Sequence, residues 1–390
     1  MKMKKIIALL LSLSLILALA VFAAGCGGNT GGSAGGNTGG NASSNTGGNA
    51  GGNTGDNAGG NAGGAQVEAL PNIELTLTLH DPVTSRIGQA MQVWADEVSA
   101  KTNGGLTITL FGSGSLAPGP EALNFVMDGT ADIGWLFTMF YPGQFTLTEV
   151  VSLPMNGPTH PAQTAEVLWD LYEATPELRN EIDSKVHLLT MYGNPANFIS
   201  TTKQPINTIA DIKGMKLRCP AGSMTRVMQL WGAAPEVVAA GDAYDALQKG
   251  NIVGTSWEWQ GIEAFKLYET LNYFMEGMPI YEGVFILGMN QDKYDSLPQA
   301  YKDVLDETTG RAGSVAFGDT FYEAAEASKI AIFKVKPGVT VVNAAPEAIA
   351  EFKAIADEFA KGWADENSKN GFDAQAYLDK ALELTAKHQR

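Results

Sequence analysis

The chain has 390 residues, of which 42 are acidic and 26 are lysine or arginine, so its formal net charge is −16. An acidic chain repels the phosphates of nucleic acids and of anionic lipids, which argues against both as direct partners. Hydrophobic residues make up 45% of the chain, which is the share found in proteins with packed cores.

The amino terminus has the layout of a secretory signal peptide. Lys2, Lys4 and Lys5 precede an apolar run over residues 6–24, which is the order of charged and apolar regions in such a signal. The run is also about long enough to span a bilayer, so an uncleaved membrane anchor is the alternative.

The end of the apolar run favours cleavage and lipidation. Ala23, Ala24 and Gly25 stand directly before Cys26, and small side chains before a cysteine are typical of lipoprotein processing sites. We therefore predict a signal peptide over residues 1–25 and an acylated Cys26. The mature protein is expected outside the cytoplasm, on the periplasmic side, held to the cell membrane by its lipid anchor.

Residues 26–70 form a low-complexity segment. They are nearly all Gly, Asn, Ala, Thr and Ser, with GGNT and GGNA units that recur. Such a segment has no apolar face to stack and predicts a flexible tether rather than a solenoid. A tether of this length reaches roughly 35–40 Å from the membrane anchor.

Residues 71–390 have ordinary composition, and a length of about 320 residues exceeds what one hydrophobic core usually supports, so two lobes with a cleft are expected. Their first part alternates strands and helices. Strands are predicted over residues 73–79, 106–111 and 131–137, and helices over residues 87–98 and 121–127. This alternation indicates an α/β fold with a largely parallel sheet, whose ligands lie at the carboxyl ends of the strands.

The second part continues the alternation and ends in helices. Strands are predicted over residues 186–192, 215–218 and 284–290, and helices over residues 161–172, 223–231, 243–249 and 261–271. The tail is predicted to be helical over residues 299–329, with interruptions at Gly310, Gly313 and Gly318, and over residues 348–365 and 374–387.

The sequence offers no catalytic or metal-binding motif. Residues 112–115 lack the G-x-S-x-G elbow of serine hydrolases, and the sequence has no H-E-x-x-H pair and no glycine-rich loop for a nucleotide. Cys219 is the only thiol in residues 71–390, so no internal disulfide is expected there. We therefore predict a protein that is not an enzyme and that needs no cofactor and no metal.

Arg218 is the residue most suggestive of a binding site. It closes a short apolar strand and stands just before Pro220, and its planar guanidinium can meet a carboxylate with two parallel hydrogen bonds. An arginine that lies on the surface or pairs internally is an equally good interpretation of the sequence alone.

Aromatic residues close other predicted strands. Trp257 precedes Glu258, and Trp135 and Phe137 end a strand in the first half. Aromatic side chains at strand ends often form the wall of a ligand pocket. The alternative for each of them is a place in the core.

One segment resembles the signature of the solute-binding proteins of TRAP transporters, the tripartite ATP-independent periplasmic family. It is residues 204–222, QPINTIADIKGMKLRCPAG. Shorter similarities follow in the family's order, and together they cover essentially all of residues 72–390. These are residues 98–105, 112–116, 128–132, 140–142, 153–154, 243–250 and 289–298.

The resemblance implies a two-lobed α/β fold of the periplasmic binding protein type II, with a ligand cleft between the lobes and long helices that cross between them. Lobe I would comprise residues 71–195 and 283–322, and lobe II residues 196–282 and 323–390. The protein would close around a small organic carboxylate and then deliver it to the membrane permease of the transporter.

The resemblance also implies roles for particular residues. Arg218 stands where the family pairs an arginine with the ligand carboxylate, and His80 and Asp81 follow the first strand, where polar groups add contacts. Phe198 stands where sialic-acid binders carry a second arginine, and Trp257 where they carry an asparagine, which disfavours sialic acid.

The same comparison narrows the ligand class. Keto-acid binders with a tryptophan like Trp257 place an acidic metal ligand before it, whereas Ser256 stands here, which argues against a bound cation. One arginine among aromatic residues favours a monocarboxylate, such as a keto, hydroxy or aromatic acid. The alternatives are a lipid-anchored extracytoplasmic hydrolase and a ligand-sensing partner of a signalling receptor.

Overall fold

The computed structural model describes residues 70–369 and 371–390. The predicted signal peptide over residues 1–25, the predicted acylation of Cys26, and all but the last residue of the predicted tether lie outside the described residues. Among the described residues, no helix combines the length and the apolar character that crossing a bilayer requires.

The first sheet has five strands in the order β2-β1-β3-β10-β4. Strand β1 pairs in parallel with β2 and β3, and β10 runs antiparallel to its neighbours β3 and β4. The predicted largely parallel sheet is therefore present, with one reversed strand. The strands are β1 Ile73–Thr78, β2 Leu106–Phe111, β3 Ile133–Phe137, β4 His187–Gly193 and β10 Val284–Met289.

The second sheet has six strands in the order β11-β9-β5-β8-β6-β7. Strand β5 is antiparallel to β8 and β9, and the other pairs are parallel. Each strand has only four residues. The strands are β5 Phe198–Thr201, β6 Lys216–Cys219, β7 Ala234–Val237, β8 Gly254–Trp257, β9 Tyr273–Glu276 and β11 Thr340–Asn343.

Twelve α-helices lie among the described residues. They are α1 Arg86–Lys101, α2 Ala122–Met127, α3 Pro161–Ala174, α4 Pro176–Asp183, α5 Ser223–Leu230, α6 Ala243–Gln248, α7 Trp259–Ala264, α8 Gln291–Ser296, α9 Gln299–Thr308, α10 Gly310–Val335, α11 Pro346–Asn367 and α12 Ala374–Lys387. The residues of helix α1 illustrate why a helix forms at that place in the sequence. Its N-cap Ser85 accepts a hydrogen bond from the Gly88 amide, and Met91, Trp94 and Val98 recur at helical spacing on its buried face.

Helix α10 is the longest helix among the described residues, and it contacts elements that lie beside each of the two sheets. It packs against α3 and β4 on one part and against α7 on another. The helical tail breaks at Gly310, whose φ is 64°, but the helix continues through Gly313 and Gly318, which were expected to interrupt it. A Cβ on Gly318 would lie 2.6 Å from the Ala162 amide, so glycine permits the close approach of α3.

The chain passes between the two sheets by two short connections and by the longer run of helices from β10 to β11. It leaves the first sheet at Gly193 and enters the second at Phe198, and it leaves the second at Glu276 and re-enters the first at Val284. Asn194, Asn197 and Tyr281 lie in these two connections. The exact lobe boundaries predicted above remain a prediction.

Candidate functional site

A cavity lies where strands of the two sheets end. The first sheet contributes the residues that follow β1 and the end of β3, and the second contributes the ends of β6 and β8. The lining residues are His80, Asp81, Trp135, Phe137, Phe140, Asn194, Asn197, Arg218, Pro220, Ala240, Trp257, Glu258, Gln260, Tyr281, Phe285 and Phe321.

Arg218 is the only lysine or arginine in this lining, and it is only 4% exposed. Its Nε donates to the Val238 carbonyl at 3.1 Å, and this is its one side-chain hydrogen bond within residues 70–369 and 371–390. No carboxylate in that part of the chain forms a salt bridge with it. Burial lowers the pKa of Arg218, but an arginine keeps its charge at any neutral pH.

The guanidinium of Arg218 lies over the indole ring of Trp257, with 3.9 Å between its central carbon and the ring centroid. This cation–π contact fixes the plane of the guanidinium without using its terminal nitrogens. The two nitrogens that form a fork for a carboxylate are therefore held in place with no protein acceptor among the described residues. An anion is the chemical group that completes such a site.

The wall formed by the first sheet is an aromatic stack. His80 stacks on Trp135 with 4.8 Å between ring centroids, and Trp135 stacks on Phe285 at 4.1 Å. Phe137 continues the stack against Phe285 at 4.8 Å, and Phe140 meets the His80 ring by its edge. The stack presents flat apolar surface to a ligand, as expected for an apolar or aromatic group.

His80 contributes to this wall as a neutral side chain. Burial, and to a smaller degree the charge of Arg218, lowers the pKa of His80 to about 3. The imidazole is therefore uncharged at neutral pH, and it adds no second cation to the cavity.

Asp81 is a buried carboxyl beside His80, with 3% of its surface exposed. Burial raises the pKa of Asp81 to about 6, against the opposing effects of Gln260 and Ser85. The Gln260 side chain donates from Nε2 to Asp81 Oδ2 at 3.0 Å. This hydrogen bond joins the loop after β1 to helix α7, and so connects the two sides of the cavity.

Glu258 is a second buried carboxyl, and its role in the fold is visible. It is the N-cap of α7 and accepts hydrogen bonds from the backbone amides of Gln260 and Gly261. Burial raises the pKa of Glu258 to about 8 in spite of these bonds. Each of its oxygens accepts a backbone amide of α7, so this carboxyl holds the start of that helix beside the cavity.

Three polar lining residues between the sheets, Asn194, Asn197 and Tyr281, had no signal in the sequence analysis. Asn194 accepts from the Gly283 amide and from Asn197 through Oδ1, which leaves its Nδ2 without an acceptor in the described part of the chain. The hydroxyl of Tyr281 lies 3.5 Å from Ser256 Oγ. These residues lie in the two connections between the sheets, and no local pattern distinguishes them from ordinary loop residues.

The structure brings seven of the eight predicted ligand-binding residues to one cavity. These are His80, Asp81, Trp135, Phe137, Arg218, Trp257 and Glu258. Phe198 is not in its lining. Its ring packs 4.9 Å from Trp259 and 6.4 Å from Phe274 in a core cluster of the second sheet.

Neither a reactive thiol nor a metal-binding cluster lies among the described residues. Cys219 is the free thiol among the described residues, and burial raises its pKa, so it is a poor nucleophile. No group of three or more histidine, cysteine, aspartate or glutamate side chains suited to a metal occurs within residues 70–369 and 371–390.

Residues 80–367 match the family model DctP, described as bacterial extracellular solute-binding protein, family 7. The chain is 24% identical over 307 residues to the outer membrane transporter protein TsaT of Comamonas testosteroni, covering 78% of this chain and 88% of that protein. It is 25% identical over 251 residues to the monocarboxylate 2-oxoacid-binding periplasmic protein all3028 of Nostoc sp., covering 62% of this chain and 67% of that one.

A solved structure extends the similarity to the fold. A TRAP solute-binding protein from Rhodoferax ferrireducens, in complex with copurified benzoate, is 26% identical with a TM-score of 0.76, covering 81% of this chain and 98% of that chain. The predicted α/β class and two-lobed architecture are confirmed, as is the resemblance first detected in residues 204–222. The chain therefore belongs to family 7 of the bacterial extracellular solute-binding proteins, as a solute-binding protein of the TRAP type.

Proposed function

We propose that this protein captures an aromatic or otherwise apolar monocarboxylate outside the cytoplasm and delivers it to the permease of a TRAP transporter. The observation that carries this proposal is the buried guanidinium of Arg218, which lines the cavity with no carboxylate partner in the described chain. A buried charge without a partner is costly, and a ligand carboxylate removes that cost.

The balance of charge in the cavity favours one carboxylate over two. Arg218 is the single cation of the lining, His80 is neutral, and Asp81 and Glu258 are acids. A second ligand carboxylate would meet an acidic or apolar wall rather than a second cation. The names of two relatives agree with this choice, since one is described as a monocarboxylate 2-oxoacid binder and another was solved with benzoate.

The aromatic stack favours a flat or apolar ligand body. The rings of His80, Trp135 and Phe285 lie nearly parallel on one side, and the indole of Trp257 lies against Arg218 on the other. We infer that the carboxylate pairs with Arg218 while the body of the ligand contacts these rings.

The setting of the protein is part of the same proposal. The signal peptide over residues 1–25, lipidation of Cys26 and the tether up to residue 70 would hold the receptor close to a membrane permease. We propose binding without catalysis, since the cavity pairs no nucleophile with a base. Hydrolysis is the weaker candidate for that reason. A ligand-sensing protein would bind its ligand in the same way and would differ only in its partner, which would be a signalling receptor in place of the permease.

Thermal melting of the full-length protein against a panel of mono- and dicarboxylates tests the proposal. A bound acid at about 100 times its dissociation constant adds roughly 2.7 kcal/mol to the free energy of unfolding. We expect benzoate or a related monocarboxylate to raise the melting temperature of the wild type and not of Arg218→Ala.

The matched control is Arg226→Ala, which removes an exposed arginine that pairs with Glu366 on the surface. This variant should respond to ligand as the wild type does. An equal response of Arg218→Ala would refute the proposed carboxylate site, and a response to dicarboxylates alone would refute the preference for one carboxylate.

A further inference from the structure

Helix α5 begins without a capping side chain of its own. Gly222 is its N-cap, and its first turn contains no acidic residue. The first four backbone amides of a helix have no acceptor inside the helix, and they form the positive end of its dipole. An acceptor for the start of α5 must therefore come from another part of the molecule or from water.

A carboxylate from another part of the chain supplies this acceptor. The amide of Ser223, the first residue of α5, donates to Glu149 Oε1 at 3.2 Å. Glu149 lies on the short 3-10 helix Thr148–Ser152, which packs against β10 and α3, whereas α5 packs against β7. The contact therefore joins a segment beside the first sheet to a helix beside the second sheet.

This hydrogen bond has no substitute nearby. In the part of the chain that the structure describes, it is the one hydrogen bond between residues 138–152 and residues 216–230. A small second cavity adjoins it and is lined by Gly222 on one side and by Ser152 on the other. The Ser152 hydroxyl is buried without a hydrogen-bond partner among residues 70–369 and 371–390. Because the two sides pack incompletely here, the contact of Glu149 with α5 contributes much of what joins them.

The position of α5 connects this contact to the ligand cavity. Helix α5 follows β6, the strand that carries Arg218, after a turn of only three residues. Glu149 is not among the residues that line the cavity with Arg218. The basic residue of α5 does not take Glu149 as its partner either, because Arg226 directs both terminal nitrogens to Glu366, at 3.0 and 2.8 Å.

We propose that Glu149 is a latch, a residue that holds the two sides of the ligand cavity together by capping α5 and that does not touch the ligand. A carboxylate on Arg218 and the Glu149 cap both favour the closed arrangement, so each strengthens the other. Glu149 is then a positioning residue that sets the rate of ligand release. The inference rests on the proposed function for the ligand, whereas the contact itself needs none.

Hydrogen exchange of the full-length protein without ligand tests the latch itself. Glu149→Ala should speed amide exchange about fivefold in residues 223–226 and in the peptides that contain Asp81 and Gln260. The side chains of these two residues form another contact across the ligand cavity. Loss of a helix cap alone would speed exchange only in α5, so unchanged exchange around Asp81 and Gln260 overturns the latch.

Stopped-flow measurement of benzoate release tests the functional role. Glu149→Ala should release benzoate about five- to tenfold faster than the wild type, with an association rate that stays within about twofold. Glu149→Gln keeps an acceptor but loses the charge, so its release rate should lie between those of the wild type and Glu149→Ala.

A second variant removes the donor in place of the acceptor. Ser223→Pro has no backbone N–H at the first position of α5, where proline suits a helix. It should speed release as Glu149→Ala does, and the double variant should be no faster than either single one, because each change breaks the same contact.

Two control variants make the same chemical changes at exposed positions. Glu347→Ala removes an acid from the first turn of α11. Gln299→Pro places proline at the first position of α9. Both proteins should exchange their amides and release benzoate as the wild type does.

The outcomes separate this inference from the proposed function. Folded Glu149→Ala and Ser223→Pro proteins that release benzoate at the wild-type rate overturn the latch and leave the carboxylate site standing. A double variant faster than either single one shows two independent effects and overturns the latch as well. A wild type that does not bind benzoate overturns the aromatic ligand class, and the exchange comparison then decides the latch by itself.

Discussion

At the scale of single residues, the cavity depends on how Trp257 is held. The indole lies over Arg218 on one side, and on the other it packs directly against the backbone of α7 at Gly261. A Cβ placed on Gly261 would lie 2.1 Å from Trp257 Nε1, a distance that no pair of unbonded heavy atoms tolerates. Glycine is therefore required there by the neighbouring ring rather than by its own backbone angles.

We expect Gly261→Ala to weaken ligand binding. The added methyl group must push the indole away from its place over Arg218, which removes the contact that orients the guanidinium. Calorimetry with the acid selected by the melting screen should show an affinity about tenfold or more lower, as displaced binding groups commonly cause.

Gly362→Ala is the matched control, because nothing lies within 4 Å of a Cβ at that position of α11. Alanine in a helix interior should stabilise it by about 0.5–1 kcal/mol and leave binding as it is. Equal affinities of Gly261→Ala and the wild type would show that the position of Trp257 does not matter to the ligand.

At the scale of secondary structure, helix α7 connects the cavity to helix α1. Arg86, the first residue of α1, donates from Nε and one terminal nitrogen to both oxygens of Glu263, at 2.7 and 3.1 Å. Ser328 of α10 donates to the same carboxylate. Burial alone would raise the pKa of Glu263, but the hydrogen bonds from Arg86 and Ser328 lower it, so the group is charged at neutral pH.

We expect Arg86→Met to speed the release of ligand. Arg86 follows the loop that carries Asp81, and Glu263 follows Gln260 on α7, so their contact supports the same junction across the cavity. A partly exposed ion pair contributes about 1 kcal/mol or less, which predicts a dissociation rate roughly two- to fivefold higher in stopped-flow measurements.

Arg179→Met serves as its control, since that exposed arginine of α4 donates to two backbone carbonyls near the end of α3 and lies over the Tyr172 ring. Dissociation rates that coincide in wild type, control and Arg86→Met would mean that this pair does not hold the cavity shut.

The elements also show what a sequence can reveal. The helix of residues 87–98 and the strands around residues 73–79 and 106–111 were predictable, because each has a long, regular alternation of buried and exposed side chains. Strands such as β7 and β11 were missed, since four residues give too short a pattern, and Pro235 lies within β7. Their pairing is decided by neighbours distant in the chain.

The candidate site, like the strands and helices, was predictable from the sequence only in part. Arg218 and Trp257 each had an unusual place beside a strand end, and residues 204–222 carried a family signature around the arginine. The cation–π contact between these two residues depends on the parallel pairing of β6 with β8, which no local pattern encodes. Asn194 and Tyr281 were missed because only the folded chain brings their connections to the cavity.

At the scale of the whole molecule, buried acids set the response to pH. Glu282 is fully buried, accepts from the Thr164 hydroxyl through Oε2, and has no partner for Oε1 in the described chain. Burial raises the pKa of Glu282 to about 8, against about 4.3 for an unfolded chain. The contribution of Glu282 to the free energy of unfolding is therefore complete below about pH 4 and is lost as the pH rises through about 8.

We predict that Glu282→Gln flattens the dependence of stability on pH. The amide resembles the protonated acid but does not ionise, so the mutant does not lose stability as the pH rises. Between pH 5.5 and 7.5 the wild type should lose about 1 kcal/mol of unfolding free energy per pH unit more than the mutant. Urea unfolding at several pH values measures the two slopes.

Glu351→Gln changes an exposed glutamate of α11 in the same way and should retain the slope of the wild type. Parallel slopes in all three proteins would contradict a protonated Glu282 in the folded state.

The most direct test of the central claim is a crystal structure of the protein with the tightest-binding acid of the screening panel. We predict that the ligand carboxylate accepts two hydrogen bonds of about 2.7–2.9 Å from the terminal nitrogens of Arg218, with the body of the ligand against the stack of Trp135 and Phe285. A carboxylate bound elsewhere, with Arg218 still unpaired or turned toward a protein acid, would contradict the account.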